Sequence, residues 1–279
     1  MRAAALVIGA ALWSCQVYDP LAELTFTEYP DTRTAVAAIL EEAATPRVFA
    51  VGEYHPSRAI GQGRSPLTRF TDEVIGLLEP FARYMVVETW HDDCGTSSIN
   101  TQLSVAMGRP PSTAVDLEHL AMRSQRLRIA ARGLEITCLE HQAMRDPQGG
   151  IDFFRLLELV TEKLVETTRQ TLATSRQTGV IVYGGALHND LFPRWPLDGL
   201  SYAAPLAKEL GPGAVLEIDL VVPEVVAPMM LVRVEPWFPL LGRASPDRVL
   251  VWKRGPGSYV VILPALTDAV ARIAQAPGA

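Results

Sequence analysis

The sequence predicts an α/β fold: a mainly parallel central sheet flanked by helices, with a helical insert over the carboxyl-terminal edge of the strands and a hairpin near the C-terminus. Three observations lead there. Val48–Val51 and Gly179–Tyr183 are short runs, apolar at nearly every position. Such runs suit strands covered by helices on both faces, as in a parallel sheet. Both runs stop abruptly at Gly-x-x-His, Gly52 to His55 and Gly185 to His188, and a third apolar run, Arg83–Glu88, stops at a carboxylate. In open α/β sheets the site forms at the carboxyl ends of the strands, so these three runs bring Glu53, His55, Glu88 and His188 to one edge.

The elements follow in order. Residues 1–14 carry one positive charge, an apolar core and a small residue, the pattern of a secretory signal peptide. That core is too short for a membrane span. Leu12-Trp-Ser-Cys15 resembles a bacterial lipobox, which makes Cys15 the expected acylated residue, although Trp13 is unusual there. Residues 15–30 read as a tether and 31–279 as one α/β domain. Asp31 caps a short amphipathic helix over 35–44, which Pro46 ends. Residues 56–70 read as a loop rich in Pro, Ser, Gly and Arg, including Arg58, that leaves directly from His55. A helix over 70–81 and the strand 84–88 follow, then a loop over 90–95. Residues 97–132 read as helical, broken at Gly108–Pro111, and form an insert expected to lie over the strand ends. Gly133–Leu139 is the next strand. The helix Asp152–Ser175 places Leu156, Leu157, Val160 and Leu164 on one face. A short helix over 202–210 ends at Gly211, and a buried strand runs over 214–222. Residues 223–239 are rich in Pro, Met and aromatics and either line a pocket or pack on the body. Strands at 249–253 and 259–263 form the hairpin, and a helix over 265–276 closes the chain.

Bulk properties exclude several classes. The chain has 279 residues, 48% hydrophobic and 20% charged, which describes a globular protein. Its net charge of -6 and the lack of a basic tract argue against nucleic acid as a partner. Of three cysteines, Cys15 is the lipidation candidate. Cys94 and Cys138 then remain as an even pair in an oxidising compartment, either joined or kept as two buried thiols.

The chemistry concentrates in the histidines. Four of the five, His55, His91, His141 and His188, fall within a few residues of a predicted strand end. Imidazole has the near-neutral pKa that proton transfer and metal binding need. Glycine before each corner histidine permits positive φ and close backbone approach. Glu53 and Glu88 form a carboxylate pair able to divide acid and base roles. With the imidazoles, the set His55, Glu88 and His188 has the donors of a mixed N/O divalent-metal site. His-Glu-x-x-His, Gly-x-Ser-x-Gly and a dinucleotide-binding glycine loop are absent.

Gly52-Glu-Tyr-His55, the strand-ending Glu88 and Gly185-Ala-Leu-His188 together resemble the signature of the erythromycin esterase / ChaN-like / Tiki superfamily. The resemblance spans most of the mature chain. It implies an α/β fold with a strand-edge site at Glu53, His55, Glu88 and His188, and with Cys15 the likeness in character is to ChaN-like lipoproteins. Members include macrolide-lactone hydrolases, metal-dependent peptidases and haem-binding lipoproteins. Two functions are therefore expected. One is an exported, lipid-anchored hydrolase at the periplasmic side of the bacterial envelope, with or without a metal, acting on an ester, lactone or peptide bond. The other is a haem-binding lipoprotein in which a histidine or Tyr54 ligates iron. Gly52, Tyr54, Arg58, His91, His141 and Gly185 are the expected supporting or substrate-binding positions. The membrane link is expected through lipid alone.

Overall fold

The computed structural model describes Leu21 and residues 24–56, 63–92, 99–175 and 178–266. The expected signal peptide, Cys15, Arg58, Cys94 and most of the expected C-terminal helix lie outside the described residues.

The fold is α/β. Eight strands are present among the described residues: β1 (Phe26–Tyr29), β2 (Val48–Glu53), β3 (Ala82–Asp92), β4 (Ala130–Ile136), β5 (Gly179–Gly185), β6 (Val215–Val221), β7 (Val249–Gly255) and β8 (Ser258–Ile262). They form one mixed, open sheet in the order β1-β7-β8-β6-β2-β5-β3-β4. Strand β2 lies at its centre, parallel to β5 on one side and β6 on the other. Strands β3 and β4 extend the β5 side in parallel, and β8 pairs parallel with β6. Strand β7 runs antiparallel to both β8 and β1.

Helices cover both faces. On one face lie α1 (Thr32–Glu42), α2 (Pro66–Arg69), a π turn (Phe70–Val74) and α3 (Ile75–Leu78). They bury Val36, Ile39, Phe70 and Ile75 against Phe49, Val51, Ile181 and Tyr183. Asp31 starts α1 by accepting the Thr34 backbone N–H at 2.7 Å, which satisfies an otherwise orphaned donor. On the other face, α7 (Phe153–Thr174) and α8 (Ala203–Leu210) bury Leu156, Val160, Leu164 and Leu206 against Val48, Ala50, Val86 and Val182. Asp152 caps α7 through the N–H groups of Phe154 and Arg155. Strands β2 and β5 are buried along their whole length, as continuous apolar runs require.

The structure differs from the sequence reading in several elements. Residues 26–29 are a strand, not tether, because they pair with the open edge of β7. Strand β3 runs through Trp90, His91 and Asp92, so these residues are not loop. Its register with β4 shifts between Val86 and Trp90, which a simple apolar count does not reveal. The insert holds α4 (Ile99–Ala106) and α5 (Ser112–Arg126), and β4 begins at Ala130, inside the stretch read as helix. Strand β4 ends at Ile136 because Thr137 and Glu140 cap one another and start α6 (Cys138–Ala143). Cys138 is disulfide-bonded, and its partner lies outside the described residues. Residues 223–239, read as either lining a pocket or packing on the body, pack on the body as α9 (Pro223–Val226) and 3-10 turns. Trp237 is buried there and Met230 is exposed.

Candidate functional site

Two registers of the central strands build the site. Gly52 of β2 pairs with Gly184 of β5 on one side and Asp219 of β6 on the other. Side chains alternate across a strand, so Gly52, Gly184 and Asp219 share one face, and Glu88 of β3 joins them. Glu53 and Tyr183 point to the opposite face.

The glycines make room. None of Gly52, Gly184 and Gly185 has a positive φ, so the expected left-handed turn is not their reason. A Cβ on Gly52 would come within 2.6 Å of both side-chain ends of Asn189, and closer still to Asp219 Oδ1. A Cβ on Gly184 would stand 2.7 Å from Glu88 Oε2. Leaving that face of β2 and β5 bare lets the His188–Asn189 corner fold back over the sheet between two carboxylates. Asn189 Nδ2 secures the corner by donating to Ala50 O at 3.2 Å and Asp219 Oδ1 at 3.1 Å.

His55 lies just past the end of β2, where the sheet no longer separates its two faces, and it reaches both. Its Nδ1 is 2.6 Å from Glu53 Oε1 on one side. Its Nε2 is 3.6 Å from Glu88 Oε1 on the other. Glu53 is buried and also accepts a hydrogen bond from the Tyr183 hydroxyl. Tyr183 is fixed in turn by stacking on Phe70, ring centroids 4.3 Å apart. Because Glu53 accepts at Nδ1, the neutral ring carries its proton there and leaves Nε2 basic.

Arg109 completes the cluster. It sits between α4 and α5, and its Nη2 is 2.9 Å from His55 Nε2 and 3.3 Å from Glu88 Oε1. A guanidinium only donates, so His55 Nε2 accepts from it. Glu88 Oε2 accepts the Gly185 N–H at 2.6 Å. Burial works to raise the Glu88 pKa, but the bond to His55 and the charges of His55, His188 and Arg109 win, and the carboxylate stays ionised far below its usual range. Burial and Arg109 pull the His55 pKa down, while Glu53 and Glu88 push it up. The balance lies above the ordinary histidine value.

His188 is buried and its pKa is lowered, first by burial. Its Nδ1 donates to Leu200 O at 3.0 Å and lies 2.9 Å from Thr161 Oγ1 of α7. That fixes a neutral ring with its proton on Nδ1.

Of the residues expected from the sequence, Gly52, Glu53, His55, Glu88, Gly185 and His188 come together. Tyr54 does not join them. It packs on Trp237, ring centroids 5.6 Å apart, and burial and the charge of Asp219 hold its phenol protonated. His91 is exposed on β3 beside the edge strand β4, and His141 is buried in α6 beyond that strand. An open cleft of about 400 Å³ lies beside His91, lined also by Arg132, Glu135, Lys163 and Glu166 and by none of the four central residues. The sequence reading missed Arg109, Tyr183, Thr161 and Asn189. It also missed Asp219 and Glu217, although two carboxylates inside the apolar run Val215–Val221 were a visible signal. Arg109, in a Gly-Arg-Pro-Pro loop, offers none.

The expected metal does not fit this arrangement. The Arg109 cation stands between His55 Nε2 and Glu88 Oε1, where a metal bridging them would go. His188 can offer only Nε2 to this cluster, because its Nδ1–H is donated to Leu200 O. Among the described residues no group of three or more His, Cys, Asp or Glu side chains is arranged to hold a metal ion.

The fold and site define an α/β protein with a buried carboxylate–histidine–arginine cluster at the end of its central strands. No family model matches the chain, and no curated protein matches it. It is similar to a solved structure, that of the type III effector HopBA1, with 13% identity and a TM-score of 0.46 over 86% of this chain and 96% of that one.

Proposed function

We propose that this protein is an exported hydrolase of an ester, lactone or peptide bond, with His55 as its general base. The observation that carries the reading is the chain of contacts Tyr183–Glu53–His55–Arg109–Glu88. A buried carboxylate fixes the imidazole tautomer and stabilises the imidazolium, which leaves the other nitrogen to take a proton. Arg109 donates to that nitrogen at rest. A substrate carbonyl entering beside it takes over the Arg109 N–H, and His55 Nε2 is then free to deprotonate water. As the water oxygen attacks, negative charge develops on the carbonyl oxygen next to the guanidinium, the arrangement that lowers such barriers most. The imidazolium then returns its proton to the leaving group. Glu88 holds Arg109 and the Gly185 N–H in place. His188, with Nδ1 committed to Leu200, supplies no proton to an oxyanion from its bare Nε2. Arg109 takes the oxyanion-stabilising role.

The finer architecture supports this reading. The α4–α5 insert brings Arg109 to the strand ends and acts as a lid over a mainly parallel sheet. Export and acylation of Cys15 put the site in the cell envelope. The likeness of the Gly-x-x-His corners to the erythromycin esterase / ChaN-like / Tiki superfamily points to the same bond class. The haem reading gains no support from Tyr54, whose phenol is buried and protonated against Trp237.

The test is a panel of aryl esters, lactones and short peptides, assayed with the wild type, His55→Ala and Arg109→Met. Hydrolysis lost in both variants supports the reading. Equal turnover in all three proteins removes it.

A further inference from the structure

We infer that the rim carrying Trp195, Met230, Leu231 and Val234 is a membrane-docking face that seats on anionic phospholipid. These side chains are 86%, 77%, 89% and 76% exposed. Large apolar groups left that open project singly from the surface; they do not line a groove that a peptide could fill. They come from two loops that are tied together: Arg194 Nη2 donates to Glu235 Oε2 at 2.8 Å. The second loop is a folded 3-10 turn, Met230–Val234, with Val232 buried beneath it in a cluster with Trp237, Leu240 and Leu241. The outward side chains are therefore presented by an ordered platform.

The chain itself indicates the occupant. Leu21 packs on that same cluster. The apolar run over residues 3–13 ends eight residues before it. Eight residues span at most about 28 Å fully extended. If that run, or an acyl group on Cys15, enters a bilayer, the rim is within reach of the same bilayer. Tryptophan favours the lipid–water boundary. Arg233 is exposed between the apolar tips, and a cation beside inserted apolar groups adds attraction for anionic lipid. The inference does not rest on the hydrolase reading.

The test uses the full chain bound to vesicles of phosphatidylcholine with a minority of phosphatidylglycerol, in which part of the phosphatidylcholine carries bromine on its acyl chains. Bromine quenches tryptophan emission only on contact. The expected result is quenching that falls in Trp195→Phe and returns in Trp195→Phe combined with Leu231→Trp, at unchanged thermal stability. The difference between variants isolates this rim from the other tryptophans. Equal quenching in the wild type and Trp195→Phe, with none added by Leu231→Trp, overturns the inference. That outcome means the rim is covered by the N-terminal segment or by a second copy. Failure of the chain to bind these vesicles overturns it too.

Discussion

Replacing Glu53 by Gln tests how the site is held together, and its outcome can be worked out bond by bond. The carboxylate accepts twice, from His55 Nδ1–H and from the Tyr183 hydroxyl. An amide oxygen can serve one of these donors, and the amide NH₂ then faces the other. If the NH₂ faces Tyr183, the phenol can rotate and accept. If it faces His55, the ring must move its proton to Nε2, which sets N–H against the N–H of Arg109. Either way one charge-assisted bond is lost, roughly 1.5–3 kcal/mol. At about 2–4 °C per kcal/mol for a chain near this size, the melting temperature falls by roughly 3–12 °C. The carboxylate also raises the His55 pKa. The His55 titration, followed by NMR of its ring protons, is therefore expected to move to lower pH. A variant that keeps both the wild-type melting temperature and the wild-type titration would refute the assignment of Glu53 as the group that sets the His55 tautomer.

The remaining predictions concern packing, pH and Arg109. Gly52→Ala forces Asn189 and Asp219 apart and should cost about 1–3 kcal/mol as overpacking, read as a lower urea midpoint; an unchanged midpoint would show that the corner has slack. Burial pushes Glu217 up to about 7, with Leu191 N–H and Arg254 opposing. A carboxyl whose folded pKa is raised stabilises the fold below its unfolded pKa, near 4.5, and loses that contribution as pH rises through the folded value. Stability is thus expected to decline by about 3 kcal/mol between pH 4.5 and 7.5 from this group, and His55 adds a decline of the same sign above pH 6.5. Glu88, with a lowered pKa, works oppositely and only at acid pH. Glu217→Gln should flatten the slope between pH 5 and 7, measured by thermal melts across that range, and an undiminished slope would place the titrating group elsewhere. Arg109→Met leaves Glu88 buried without its guanidinium. A loss of roughly 3–5 kcal/mol is expected from breaking a buried pair, together with a more accessible His55 Nε2 that diethyl pyrocarbonate modifies faster; protection equal to wild type would show that Arg109 does not cover it.

The fold was legible where burial dictates composition. Strands β2 and β5 are sandwiched between helices, so apart from the terminal Glu53 their positions are apolar or glycine, and the run itself announced them. Strand β4 was less readable because Ala130–Arg132 are exposed or half-exposed and carry no pattern. The four central side chains were legible because each stands at or just past the end of a readable apolar run, although β3 itself continues beyond Glu88. Arg109 was not, since its place depends on how the α4–α5 insert folds back over the sheet, and no local periodicity encodes that. Of the two reasons offered for the corner glycines, positive φ fails and close approach holds, here of side chains. The glycines are needed for the volume a side chain would occupy, and only the three-dimensional neighbours Asn189, Asp219 and Glu88 reveal it.

The geometry also explains why the histidine stands two residues past Glu53, beyond the end of the strand. Within the strand, an imidazole could face only one side of the sheet. Beyond the last ladder pairing, at Glu53 and Gly185, the same ring can bond Glu53 on the α1 side through Nδ1 and approach Glu88 on the α7 side through Nε2. Each carboxylate faces a separate core, and β5 anchors both: Glu53 through the Tyr183 hydroxyl on one face, and Glu88 through the Gly185 N–H. The two negative charges therefore never meet directly. They are joined through a ring that can gain a proton and a guanidinium that cannot lose one. That division lets one edge of one sheet hold a permanent cation and a switchable base against two carboxylates, and protonation of His55 is the step that brings the cluster to electrical balance.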